Sequence, residues 1–213
     1  QTNRYFYSYT KPMQQELKSE RSKKIILEKA FEMFYEEGFK SSSIDRIVKA
    51  SNLTKGAFYH HFKSKKELGL KVIELKIQER IHQGMIAPLK RPGNALDLLK
   101  DTFFHRIKLF SLYDKKHGCP FNNLINEIGG LELAYRLALK KIIDEWKQAI
   151  IRIIERGKKE NNIKKGISSN AVAIYLISAF EGVRGIRKLY DNDTILAEYL
   201  LGLSSYLDHI QAN

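Results

Sequence analysis

The sequence predicts an all-α protein with a small N-terminal head of three helices and a larger helical body. Three observations carry that expectation. Apolar residues recur at helical spacing along most of the chain, while strand-like alternation is nearly absent. Helix-capping residues and glycine stops fall at the ends of those periodic stretches. A composition 43% hydrophobic and 11% aromatic over 213 residues is enough to build a packed core, which excludes wholesale disorder.

The elements follow in chain order. Residues 1–18 are oddly aromatic (Tyr5, Phe6, Tyr7, Tyr9) and read as irregular, either an arm or a remnant of cloning. A first helix is predicted from about Glu20 to Glu37, with Ile26, Ala30, Phe31 and Phe34 on one face and Gly38 as its stop. Ser42 or Ser43 caps a short helix over Ile44–Ser51, and Thr54 caps another over Lys55–Phe62. Only Asn52 and Leu53 separate the two, and Asn tolerates the positive φ that so tight a turn needs. Ser64 with Glu67 forms a capping box that opens a helix continuing towards Ile81. The Ala87–Gly93 stretch, with its prolines, reads as a break. Five body helices are expected near Asn94–Leu112, Cys119–Ile128, Leu131–Arg156, Ser169–Leu189 and Thr194–Ile210, with turns between them. The domain boundaries implied are 19–66 for the head and 67–213 for the body, linked by the helix from about residue 65.

Charge and cysteine content narrow the classes. The 37 Lys and Arg outweigh the 24 Asp and Glu, for a net charge of +13. Part of that excess is local, because Gly38–Lys66 carries seven basic residues (Lys40, Arg46, Lys49, Lys55, Lys63, Lys65, Lys66) against Asp45 alone. A single cysteine excludes an intramolecular disulfide and argues against a thiolate zinc site. No apolar run is long enough to span a bilayer and no signal-peptide pattern is visible, so a soluble cytoplasmic protein is expected. The chain has no metal-spaced His cluster, no phosphate-binding Gly loop and no triad, so no metal, cofactor, catalytic residue or enzymatic activity is expected. A basic membrane-surface protein is the weaker reading, since the head's apolar residues are needed for its own core.

Two short helices joined by a tight turn on a support helix make a helix-turn-helix. The second helix, Thr54–Phe62, reads TKGAFYHHF and suits a DNA major groove. Lys55 can reach a phosphate or a guanine edge. Gly56 and Ala57 keep the surface low, and Tyr59 and His60 offer donors at phosphate distance. Ile44, Ile47, Val48, Leu53, Phe58 and Phe62 supply the apolar complement that holds the head together.

The run SSSIDRIVKASNLTKGAFYHHFKSKKEL, Ser41 to Leu68, closely resembles the TetR/AcrR family of one-component transcriptional regulators, and the pattern extends from about Glu20 to Lys76. Asn52 departs from the family's usual Gly and Val48 from its usual Ala. The resemblance implies phosphate contacts from Ser42, Ser43, Tyr59, His60 and Lys65, with base or groove contacts from Lys55, Gly56 and Ala57. Thr54 caps that helix towards a phosphate, and Arg46 is a further candidate on the same side. The resemblance also implies a homodimer built from the helices near 169–189 and 194–210. A two-fold dimer would match both halves of a palindromic double-stranded DNA operator.

Such regulators hold a small-molecule effector in the body, and the aromatic content here is compatible with an apolar or aromatic one. Candidate lining residues are Phe103, Phe104, Ile107, Phe110, Phe121, Leu124, Trp146, Ile150 and Phe180, all of which also suit plain core. His105, Asn122, Asn123, Glu181 and Arg184 are polar groups that would orient a ligand, with Arg184 suited to a carboxylate or phosphate. The segment Gly118-Cys119-Pro120-Phe121-Asn122-Asn123-Leu124 resembles the Gly-Cys-x-x-x-Asn-Leu stretch of a family subgroup, some relatives of which sense electrophiles or oxidants through cysteine. Pro120 fits the first helical position and puts Cys119 at the cap, where the helix dipole and a nearby His117 would lower its pKa. The alternative role for Cys119 is that of a small buried hydrophobe.

Overall fold

The computed structural model describes the backbone of residues 3–212, with side chains from Gln14 onward. Its secondary structure is helical; among the described residues the sole β-type pairing is an isolated bridge between Ile163 and Gln211. The chain divides into two compact units between Ile73 and Glu74.

In the first unit, α1 runs over Asn3–Glu36, α2 over Ile44–Ala50, α3 over Lys55–His61 and α4 over Lys65–Val72. The irregular segment expected before Ser19 is therefore corrected, because the backbone is helical from Asn3. The side chains of Tyr5, Phe6, Tyr7 and Tyr9 lie outside the described residues. No cap or apolar stripe signals the extension in the sequence. A strong helical nucleus downstream needs none, since adding a residue to a formed helix costs far less than starting one.

Gly38, at φ 91°, ends α1 as expected, a backbone angle a β-carbon would disfavour. The three predicted caps are all made: Ser43 Oγ accepts from Arg46 N–H, Thr54 Oγ1 from Ala57 N–H and Ser64 Oγ from Glu67 N–H, at 3.1–3.2 Å. The Glu67 carboxylate closes its side of the box on the N–H of Lys63, one residue ahead of the cap. Asn52 takes φ 53° in the turn between α2 and α3. Ile26, Ala30 and Phe34 of α1 meet Ile47, Phe58, Phe62 and Leu68 in the head's core, all at most 2% exposed.

The second unit opens with a π-helical turn (Ile73–Ile77, begun at the boundary), α5 (Gln78–Ile81), a second π turn (His82–Ile86) and a 3₁₀ turn (Ala87–Lys90). The helix expected to continue towards Ile81 runs on to Ile86, where the expected break begins. Then come α6 (Ala95–Lys108), α7 (Leu112–His117), α8 (Pro120–Ile128), α9 (Leu133–Lys159), α10 (Ser169–Ile186) and α11 (Thr194–Ile210). Helix α7 falls in a stretch expected to be a turn. It buries no face of its own, so no periodicity betrays it; Ser111 caps it and Gly118, at φ 77°, stops it.

The body's core is an aromatic cluster. Phe103 of α6, Trp146 of α9 and Phe180 of α10 are fully buried, with ring centroids 5.4–6.4 Å apart and two of the three contacts edge-on. Ile142, Ile150 and Ile153 of α9 and Leu176 of α10 extend it. At the far end of the chain, a small clip ties the 160–166 loop to the end of α11. Lys164 N–H donates to Ile210 C=O, Ala212 N–H to Asn162 C=O, and Lys164 Nζ to His209 C=O.

Candidate nucleic-acid interface and effector region

The exposed face of the head is built by α2 and α3. Phe58 and Phe62 turn inward and anchor α3, which leaves Lys55, Gly56, Tyr59 and His60 exposed, with Ala57 half-buried. Tyr59 is 52% exposed, its ring edge-on to Phe58 at 5.3 Å, so the buried phenyl fixes the direction of the phenol. Lys55 Nζ sits 2.8 Å from Asp45 Oδ1 of α2. That contact raises the lysine pKa, chiefly through the hydrogen bond and charge of Asp45. Asp45 was the odd acid in a basic window; it holds Lys55 across the two helices.

Lys65 lies over the Phe39 ring at 4.5 Å and donates to the Lys40 carbonyl at 3.3 Å. Its ammonium is therefore held at the end of α1, beside Lys40. Ser43 and Thr54 are exposed helix caps whose hydroxyls are already accepting backbone bonds.

Two predicted DNA residues behave differently. Ser42 is fully buried and its hydroxyl donates to Gly38 C=O at 2.7 Å, so it fastens the end of α1 and cannot present a hydroxyl to a phosphate. Arg46 is exposed but engaged by Glu37 through both guanidinium nitrogens, an ion pair nine residues apart in the chain. One supporting residue was missed altogether. His61 Nε2 lies 3.0 Å from Ser22 Oγ, joining α3 to α1. Burial, and then the charges of His60 and Lys23, lower its pKa. Nothing in a His-His pair marks which ring turns inward.

In the body, the expected pocket residues separate into groups. Phe103, Ile107, Phe110, Phe121, Leu124, Trp146, Ile150 and Phe180 are packed core, each at most 6% exposed. Phe104 and His105 line instead an open groove of about 680 Å³ between α6 and the second π turn, with Arg80, Arg91, Arg106 and Lys108. Cys119, Phe121 and Arg184 border a crevice of only about 10 Å³, shared with Arg80 and Arg106. Asn122 is half-buried; Asn123 Nδ2 donates to His117 C=O at 2.9 Å and its Oδ1 receives Lys188 Nζ at 3.3 Å.

The expected low thiol pKa at Cys119 is overturned. The residue does cap α8, but its sulfur makes no capping bond and is 2% exposed. Arg184 Nη1 donates to Cys119 Sγ at 2.9 Å. Burial pushes the thiol up to about 12, Glu181 adds to the rise, and Arg184 offsets only part of it. His117 packs at a tilt against Tyr113, ring centroids 4.6 Å apart. Desolvation outweighs the dipole here, and the helices that cause it lie far away in sequence.

Arg184 itself is 2% exposed, its guanidinium lying over the rings of Phe110 and Phe180 at 4.5 and 5.3 Å from their centroids. Its Nη1 is 3.5 Å from Glu181 Oε1. Burial raises the Glu181 pKa against the pull of Arg184. Among the described residues, Arg184 Nε and Nη2 and both Glu181 oxygens meet no aligned hydrogen-bond partner. No group of metal-ligating side chains and no membrane-spanning helix occurs among the described residues.

Comparisons with known proteins agree with this architecture. Residues 26–72 match the family model for bacterial regulatory proteins of the tetR family, and residues 95–201 match the tetracyclin repressor-like C-terminal domain. The HTH-type transcriptional repressor DhaR of Mycobacterium sp. (strain GP1) is 24% identical over 182 residues, covering 82% of this chain and 86% of that protein. A TetR-family regulator from Cytophaga hutchinsonii superposes with TM-score 0.80 at 21% identity, over 92% of this chain and 98% of that one. One from Chloroflexus aurantiacus J-10-FL gives 0.81 at 22% identity, over 92% and 99%. With the head's helix-turn-helix and the helical body both matched, the chain belongs to the TetR family of bacterial DNA-binding transcriptional regulators.

Proposed function

We propose that this protein is a dimeric repressor that leaves a palindromic operator when a small molecule binds its body. The observation that carries the DNA half is the exposed set on α3 (Lys55, Gly56, Tyr59, His60) held rigid by buried Phe58 and Phe62. Lys55, Gly56 and Ala57 read the groove, while Ser43, Thr54, Tyr59, His60 and Lys65 contact phosphate. Arg46 contributes after exchanging Glu37 for a phosphate. Ser42 acts by shaping the turn before α2. The first unit is thus the DNA-binding domain, and the second carries effector binding and dimerisation.

The dimer reading rests on apolar side chains that α10 and α11 leave exposed: Ile174, Tyr175 and Leu201 at 46%, 51% and 70%. Tyr175 and Tyr206 pack with tilted rings, centroids 4.4 Å apart, and join this face across both helices. Isologous pairing of that face would bury it and set two recognition helices on successive major grooves. An effector acts by binding the DNA-incompetent arrangement more tightly.

The subgroup segment Gly118–Leu124 fits this scheme with Cys119 as a packing residue beside Arg184, since its thiol is buried and its pKa raised. Cys119→Ser then keeps operator binding and effector release. The overall test is fluorescence anisotropy of a labelled palindromic duplex selected from random sequence, with salt varied. Binding that falls steeply with salt and prefers the selected site supports the proposal. Equal affinity for every duplex at every salt defeats it.

A further inference from the structure

We propose that the groove between α6 and the second π turn binds an amphipathic anion, a small organic molecule with one carboxylate or phosphoryl group, anchored by Arg106. This assigns a chemical class to the effector and so rests on the effector reading above.

The groove's volume, about 680 Å³, lies in the range of small-molecule sites. Its charged lining is Arg80, Arg91, Arg106 and Lys108 against Asp101. Arg80 is neutralised by Asp114, to which it is bonded. Arg106, half-buried, has no hydrogen bond or ion pair among the described residues. Burial, and then the like charges of Arg80 and Arg184, penalise its cation. The chain nevertheless makes room for it. A β-carbon on Gly84 would stand 3.3 Å from Arg106 Nε, so glycine in the π turn leaves room for the Arg106 side chain to approach closely.

A second observation comes from the inner side. Arg80 and Arg106 line both the groove and the crevice that reaches Cys119 and Arg184. Arg184, 98% buried, has Nε and Nη2 unpartnered there. Three guanidiniums thus meet at the floor with two carboxylates, Asp114 and Glu181, to balance them. Cationic charge is therefore in excess there, and an oxyanion would offset it. Leu98, Phe104 and Leu109 line the same groove and offer apolar contact to the rest of the molecule. A planar carboxylate or a phosphoryl group suits Arg106 equally, because a guanidinium fork pairs with either.

The test is calorimetric titration of the full chain with octanoate, octyl phosphate, octanol and inorganic phosphate, without DNA. The expected result is that at least one octyl anion binds about tenfold or more tightly than octanol, the worth of a charge-assisted hydrogen bond. Preference between octanoate and octyl phosphate distinguishes the two headgroups, and weak binding of inorganic phosphate shows the tail's share. Arg106→Gln should lose that advantage and Arg106→Lys should keep part of it. Should Arg106→Gln melt early, exposed Arg91→Gln and Gly84→Ala give the milder weakening that the site requires. Equal binding of octanol and both anions, or no binding of either anion at millimolar concentration, overturns the proposal. Anion binding that leaves operator affinity unchanged upholds the site and removes the effector reading, so the two failures are separable.

Discussion

The head and the body handle charge in opposite ways. The head's cations stand in water, and the contacts they make are light: Lys55 with Asp45, Arg46 with Glu37, Lys65 on a ring and a carbonyl. Such exposed pairs contribute little to stability, so exchanging a carboxylate for a phosphate costs little. The body instead buries Arg184 and Glu181 among aromatic rings, with hydrogen-bonding capacity left over. A buried pair of that kind is expensive to desolvate and seldom stabilises relative to an apolar replacement. The difference teaches where each unit spends its electrostatics: the head on exchange with a polyanion, the body on specificity at an interior point.

The comparison can be broken most forcefully in the body's core. Trp146→Ala removes the largest fully buried ring from the Phe103–Phe180 cluster and should cost roughly 3–5 kcal/mol of unfolding free energy, read from a denaturant midpoint. A loss under about 1 kcal/mol would show that the cluster is loosely packed. Next in size, Arg184→Met strands Glu181 and should destabilise by about 3 kcal/mol, while adding Glu181→Leu should recover much of it. If the double variant is no better than the single one, the pair does not act as a unit.

In the head the same kind of substitution should leave stability alone and strike binding. Lys55→Gln should weaken specific operator binding by about 1–3 kcal/mol with the melting temperature almost unchanged, measured by anisotropy beside a thermal scan. Parallel losses in both would make Lys55 a structural residue. A pH effect of smaller size belongs to His61. Its pKa is lowered in the fold, so the unfolded chain takes up the proton first. Its contribution is complete above the ordinary value of 6.5 and is lost as pH falls through the lowered one. The denaturation midpoint should drop on acidification across that window, and His61→Gln should flatten the drop. Smallest of all, Asp45→Asn should tighten operator binding a few-fold at low salt, because Lys55 would no longer arrive with a partner to displace.

Local chemistry was the legible part of this molecule. Ser43, Thr54, Ser64 and Gly38 announce helix ends because their work is done within four residues, and the structure keeps all of them. The exposed Lys55–His60 face follows from the same helical register that buries Phe58 and Phe62. Less legible were contacts made across the fold. Ser42 and Ser43 look alike in the chain, yet one is buried under Gly38 and the other is an exposed cap. The Cys119 environment depends on α10, sixty-five residues away, so an argument from its own helix dipole missed the larger desolvation. The basic groove escaped for a similar reason: Arg80, Arg91 and Arg106 come from three separate segments, and no spacing connects them.

The clip between the 160–166 loop and the end of α11 has a consequence for exchange with solvent. The amides of Lys164 and Ala212 are bonded across the clip to Ile210 and Asn162, so parting the two segments frees both at once. Deuterium uptake at both should rise together, as one opening event, and the last turn of α11 should stay protected for as long as the loop is docked.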